Sequence, residues 1–92
     1  MPKRIAVLLT NNFEDQEYLE PVAALLEAKH SICNIEFNAG NVVYGLHGCS
    51  AVTIDRGIEQ ISIDDFDALL IPGGESAVSL STDLRVLQFI QA

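Results

Sequence analysis

Asp67-Ala68-Leu69-Leu70-Ile71-Pro72-Gly73-Gly74 reads as a short, almost wholly apolar strand stopped by one proline and two glycines. A run without polar alternation suits a strand covered on both faces, as in a parallel sheet. A second run of this kind, Arg4–Leu9, opens the sequence behind two cations. Between the two lie the elements that must carry the chain from one to the other.

Thr10–Phe13 reads as a polar loop. The acids Glu14, Asp15, Glu17 and Glu20 then stand where a helix start favours negative charge. Pro21 suggests that a short first turn ends near Glu20 and that the main helix begins with proline at its first position. Val22, Leu25, Leu26 and Lys29 continue at helical spacing. Ser31–Phe37 is expected as the second strand, and Asn38-Ala39-Gly40-Asn41 as a turn. Val42–Leu46 and Ala51–Ile54 form a β-hairpin around Gly45-Leu46-His47-Gly48. Gly57–Ile63 reads as an irregular linker, and Asp64-Asp65-Phe66 as a short turn. After Gly74 a serine-rich loop leads to a helix over Asp83–Gln91, capped by Thr82 or Ser81, with Leu84, Leu87 and Ile90 on one face.

This order, β-α-β, hairpin, β-α, predicts one α/β domain over residues 1–92, built on a parallel sheet with helices on both faces plus a hairpin. The final helix delivers no strand, although a right-handed crossover should lead into one. Asp67–Ile71 is also too apolar for a comfortable sheet edge, and Ala92 arrives with no capping glycine. The expectation is a fold that is incomplete within these residues.

Composition narrows the function. Half the 92 residues are hydrophobic (49%) and the mean hydropathy is +0.27. A small chain this apolar either packs efficiently or presents surface to a partner, here a further copy or a complementary chain. The longest apolar runs are about five residues, against about 20 needed to cross a bilayer. Residues 1–46 hold three cations and six acids, and residues 47–92 two and seven, for a net charge of −8. With no basic half, nucleic acid and anionic membrane surfaces are excluded as partners. The Lys3-Arg4 start is followed by too short an apolar segment for a signal peptide, so a soluble cytoplasmic protein is expected.

In an open parallel sheet, ligands bind beyond the carboxyl ends of the strands. Two loops leave such ends: Thr10-Asn11-Asn12-Phe13-Glu14-Asp15 and Pro72-Gly73-Gly74-Glu75-Ser76. If their strands are neighbours, Glu14 and the glycine pair face one crevice. Glu14 can then act as a general acid/base or as a protonated carboxyl that donates a hydrogen bond, against the plainer reading of a solvated carboxylate at a helix start. Gly73 and Gly74 can turn N–H groups toward a developing oxyanion, against the plainer reading of a strand-ending turn. Asp15, Glu17 and Glu20 fit the solvated case. Cys33 and Cys49 read as small hydrophobes, since neither stands at a helix start or beside a cation. His47 with Cys49, or His30 with Cys33, completes no four-ligand set, so neither a metal nor another cofactor is expected. No glycine-rich phosphate motif is present, and four acids at the helix start oppose a phosphate.

The segments Thr10-Asn11-Asn12-Phe13-Glu14-Asp15-x-Glu17, Gly45-x-His47-Gly48 and Asp65-Phe66-Asp67-Ala68-Leu69-Leu70-Ile71-Pro72-Gly73-Gly74, in this order, resemble the ThiJ/PfpI family of intracellular proteases, amidases and deglycases. The resemblance covers essentially the whole chain. It implies a flavodoxin-like fold related to class I glutamine amidotransferases, assembled as oligomers and acting on small-molecule or peptide amides. It matches Glu14 to the family's active-site glutamate and Gly73 and Gly74 to its oxyanion loop. The family's nucleophilic cysteine, usually followed by histidine, lies just beyond the final helix, and Cys33 and Cys49 do not match it. Val78 stands near the position where some amidases carry a further glutamate, and Lys29 replaces the glycine that commonly ends the first helix. The resemblance therefore implies the N-terminal half of such a protein without its catalytic centre.

Overall fold

The computed structural model describes residues 2–48 and 50–91; Met1, Cys49 and Ala92 lie outside the described residues. Four strands form one parallel sheet: β1 (Arg4–Leu8), β2 (Ser31–Glu36), β5 (Arg56–Gly57) and β6 (Ala68–Leu70), in the order β5-β2-β1-β6. The antiparallel pair β3 (Val42–Tyr44) and β4 (Ala51–Thr53) makes the expected hairpin. Among the described residues there are three α-helices, α1 (Asp15–Glu27), α2 (Glu75–Ser81) and α3 (Leu84–Gln91), and two short 3-10 turns, Ile58–Gln60 and Ile63–Asp65.

The unbroken apolar run of β1 is explained by its place. It lies between β2 and β6, with Ile5 beside Ile32 on one side and Ala68 on the other. Its alternate side chains enter two separate cores. Ile5, Val7 and Leu9 pack with Phe13, Tyr18 and Val22, and with the hairpin residues Val43, Val52 and Ile54. Ala6 and Leu8 pack on the opposite face with Ile35, Ile58, Leu80, Val86 and Phe89. Helices thus cover both faces, as the sequence predicts. Burying each large side chain fully contributes about 1.5–3 kcal/mol.

Several local expectations are corrected. α1 runs unbroken through Pro21 rather than starting there. Tyr18, Val22 and Leu25 form one stripe that spans the proline, and packing that stripe outweighs the backbone hydrogen bond that proline removes. The serine-rich segment is helical: Ser76 and Leu80, one turn apart, are buried, while Ser81 and Thr82 donate back to the Val78 and Ser79 carbonyls. The expected linker holds β5, which pairs with β2, and a 3-10 turn over Ile58–Gln60. A two-residue strand is too short to leave a periodic signal.

α3 is rotated relative to expectation. Val86 and Phe89 enter the core, while Leu84, Leu87 and Ile90 are 67%, 40% and 38% exposed. Two overlapping apolar stripes are present, and the packing of α3 on the sheet selects one. Arg85 lies over the Phe37 ring, 3.7 Å from its centroid, and fixes this rotation. The Arg85 N–H is accepted by Asp83 at 2.9 Å, so Asp83 rather than Thr82 or Ser81 satisfies the helix start.

α1 ends in a double hydrogen bond: His30 N–H to the Leu25 carbonyl and Lys29 N–H to the Leu26 carbonyl, each 3.0 Å. This arrangement places Lys29 in the left-handed region, at φ +73°. Lysine there carries a steric cost that glycine avoids. Lys29→Gly is therefore expected to raise the unfolding free energy by about 0.5–1 kcal/mol, the relief exceeding the added freedom of the unfolded chain. A shift of the urea midpoint to higher concentration at constant slope checks this.

Candidate active site

β1 and β6 are neighbours, so the two loops singled out in the sequence meet at the carboxyl edge of the sheet. The sheet order turns here, with β2 on one side of β1 and β6 on the other, which is where ligands bind in folds of this class. Backbone hydrogen bonds tie the loop after β1 to both of its neighbours. Asn12 N–H donates to the Tyr44 carbonyl and Leu46 N–H to the Phe13 carbonyl, each at 2.8 Å. On the other side, Glu14 N–H donates to the Gly73 carbonyl at 2.9 Å. Phe13, fully buried against Tyr18, anchors this crossing.

The glycine pair is held closely. Gly74 has φ +89°, and a Cβ there would lie 2.8 Å from the Asn12 carbonyl oxygen and 3.0 Å from the Glu14 nitrogen. A Cβ at Gly73 would run into the Glu17 carboxylate. The structure thus brings the Glu14 backbone beside Gly73 and Gly74, while the Glu14 carboxylate turns to His47.

The carboxylates of the first helical turn have three different environments. Glu14, at the cap position of α1, makes no side-chain cap hydrogen bond; its carboxylate faces His47, with Nε2 3.2 Å from Oε1 and 3.3 Å from Oε2. Glu17 turns to the glycines, where its Oε1 accepts the Gly73 N–H at 2.8 Å. Asp15 is 1% exposed, accepting the His47 N–H at 2.8 Å and the Ser50 hydroxyl at 2.7 Å. Asp15 and Glu17 are therefore not the freely solvated acids expected. The signal for Glu17 lay in the motif itself, three residues after Glu14 and so on the same helical turn. Nothing in the sequence pointed from Asp15 to positions 47 and 50.

Gly45 completes the contact between helix and hairpin, since a Cβ there would overlap the Asp15 carboxylate. In chemical terms, this edge offers the Glu17 carboxylate on the N–H of a glycine turn whose second residue, Gly74, has φ +89°.

Cys33 sits in the middle of β2, beside Ala6, and not at this edge. Burial pushes its thiol up, and the charge of Asp55 adds to the effect. Burial likewise pushes the Tyr18 hydroxyl up, against the hydrogen bond to Asn34 that pulls it down. Both groups favour their protonated forms in the folded chain. Their contribution is complete below the ordinary thiol range, about pH 8.5, and is lost as pH rises through the raised folded values. The urea midpoint is expected to fall between pH 8 and pH 10.5, on the order of the alkaline range of these groups, and less steeply in Cys33→Ala. Cys49, the other sequence candidate, lies outside the described residues.

Comparison with known proteins gives relatives of substantial identity. General stress protein 18 of Bacillus subtilis is 49% identical over 92 residues, which are 100% of this chain and 54% of that protein. Protein/nucleic acid deglycase 2 of Escherichia coli is 44% identical over 89 residues, 97% of this chain and 52% of that protein. The chain thus spans about half the length of the curated relatives it matches.

Among solved structures, a two-domain protein of Anabaena variabilis with DJ-1/ThiJ/PfpI-like and ferritin-like domains superposes with a TM-score of 0.90 at 24% identity, covering 97% of this chain and 26% of that one. DJ-1beta of Drosophila melanogaster superposes with a TM-score of 0.83 at 22% identity, covering 99% and 49%. These likenesses establish the flavodoxin-like fold. The match to the DJ-1/PfpI family extends over residues 3–92, and the chain belongs to that family.

Proposed function

We propose that this chain supplies the carboxylate and glycine-turn half of an intracellular cysteine-dependent hydrolase of amidase, protease or deglycase type, and that it is inactive alone. The observation that carries this reading is the double tie between α1 and the glycine turn. Glu14 N–H donates to the Gly73 carbonyl at 2.9 Å, and the Gly73 N–H donates to Glu17 at 2.8 Å. The name of the Escherichia coli deglycase supports the reaction class.

In this proposal the Gly74 N–H serves the oxyanion of a tetrahedral intermediate, because the Gly73 N–H is committed to Glu17. The resemblance assigns the acid to Glu14. The geometry favours Glu17 for contact with a group held over the turn, since the Glu14 carboxylate is engaged by His47. The nucleophile comes from neither Cys33 nor a second partner within the crevice, but from the remainder of the family fold. The substrate is a small-molecule or peptide amide, or a sugar adduct.

The chain is expected to show no thiol-dependent turnover of peptide, amide or glyoxal-adduct substrates. Turnover that survives thiol alkylation but is lost in Glu14→Gln overturns the proposal. A Cys-His pair encoded just beyond residue 92 supports it. In that longer protein, Glu17→Gln should lower kcat/KM by about 10²–10⁴, and by more than Glu14→Gln does.

One observation favours a second reading, an assembly module that completes its sheet with another chain. Among the described residues β6 pairs with β1 alone, and α3 turns Leu84, Leu87 and Ile90 outward. Sedimentation as a compact monomer at micromolar concentration counts against this reading.

A further inference from the structure

We propose that Glu14, Asp15 and His47 form a binding site for one divalent transition-metal cation of the zinc class. Each residue offers one ligand atom, and the three atoms lie within 4.8 Å of one another. They come from two elements: the first turn of α1 and the loop between β3 and β4.

The donor atoms of this group converge on one another. His47 Nε2 stands 3.2 and 3.3 Å from the two oxygens of Glu14. The pair is a hydrogen bond and ion pair at the long end of its range, since such bonds close to about 2.7–2.9 Å when tight. Two donors bound tetrahedrally to one zinc ion, at about 2.0–2.1 Å each, stand about 3.3 Å apart. The imidazole and the Glu14 carboxylate can thus meet one ion with little movement, and Asp15, whose ligand atom lies within 4.8 Å of both, joins them by giving up one of its present hydrogen bonds.

The surrounding bonds hold the ligands in place. Asp15 accepts the His47 N–H at 2.8 Å and the Ser50 hydroxyl at 2.7 Å, which locks the hairpin loop to the helix start. Ligating carboxylates are commonly hydrogen-bonded in this way, and such outer bonds orient them. Gly45 leaves the Asp15 carboxylate the space it occupies. Asp15 is buried at the base of the group, Glu14 is half-buried and His47 is exposed. That gradient gives an ion a path from solvent and leaves a coordination position for water.

The donor set also selects the ion. An imidazole with two carboxylates suits zinc, cobalt or manganese, whereas magnesium and calcium prefer oxygen alone. The site does not depend on the hydrolytic proposal. Sequence reading missed it because α1, β2 and β3 stand between positions 14 and 15 and position 47, and no local spacing links them.

Calorimetric titration of the 92-residue chain with zinc chloride, in a non-chelating buffer, tests the site. The expected result is saturable binding of one ion, weakened at least tenfold in His47→Ala and in Glu14→Gln, and unchanged in His30→Ala and Cys49→Ser. Magnesium should give no saturable heat. Cobalt should give visible absorption bands that disappear in His47→Ala, while far-ultraviolet circular dichroism shows that variant still folded. Absent binding, binding that survives His47→Ala, or binding that is lost in Cys49→Ser overturns the proposal.

Discussion

Gly74→Ala is expected to lower the unfolding free energy by about 2–4 kcal/mol, which is a large part of the margin of a domain this small. Two costs combine. At φ +89° and ψ −165°, a region occupied essentially by glycine alone, alanine costs about 1–3 kcal/mol. Its methyl group would also press on the Asn12 carbonyl oxygen at 2.8 Å and the Glu14 nitrogen at 3.0 Å. These are backbone atoms, and moving them strains the Glu14–Gly73 and Ser76–Asn12 hydrogen bonds. Gly40→Ala separates the two costs: Gly40 has φ +90°, but a Cβ there meets nothing within 4 Å. Urea unfolding of both variants should show Gly74→Ala the more damaging by at least about 1 kcal/mol. Equal losses would mean that the close approach of the two loops has no energetic weight.

Asp15→Ala should cost about 3 kcal/mol, because it strands the His47 N–H and the Ser50 hydroxyl beside a buried site. The His47 N–H and the Ser50 hydroxyl both bond to this carboxylate. Asp15→Asn should be much milder, at about 1 kcal/mol. Its carbonyl oxygen can keep the His47 N–H, and its amide can donate to the Ser50 hydroxyl, which reverses its role from donor to acceptor. Chemical denaturation gives the energies, and the His47 amide resonance reports whether the loop stays in place. A loss in Asp15→Asn as large as in Asp15→Ala would show that the charge itself, rather than the hydrogen bonds, holds the loop.

The parts of the fold legible in sequence are those with long, one-signed patterns. Arg4–Leu9 and Asp67–Ile71 announced parallel strands because a strand covered on both faces has no polar alternation. The hairpin was legible from its glycines and β-branched residues. By contrast, Pro21 misled because a proline is read locally, whereas the stripe that holds α1 straight through it is a tertiary contact. The serines of α2 misled for a related reason. Their loop preference is cancelled when Ser76 is buried against the Thr10 N–H and Ser81 bonds its own turn.

The sequence by itself determined the fold class and the family, the latter through the motifs that include Glu14, Gly73 and Gly74. The fold class follows from periodicity and backbone freedom, which are properties of neighbouring residues, and the family from the order of its motifs. The tertiary structure alone decided which carboxylate does what. Glu14, Asp15 and Glu17 are nearly equivalent in sequence, yet one faces His47, one is buried beneath the hairpin loop and one holds the glycine turn. The cause is geometric. Successive side chains at a helix start point about 100° apart, so each meets a different neighbour, and those neighbours come from positions 47, 50 and 73.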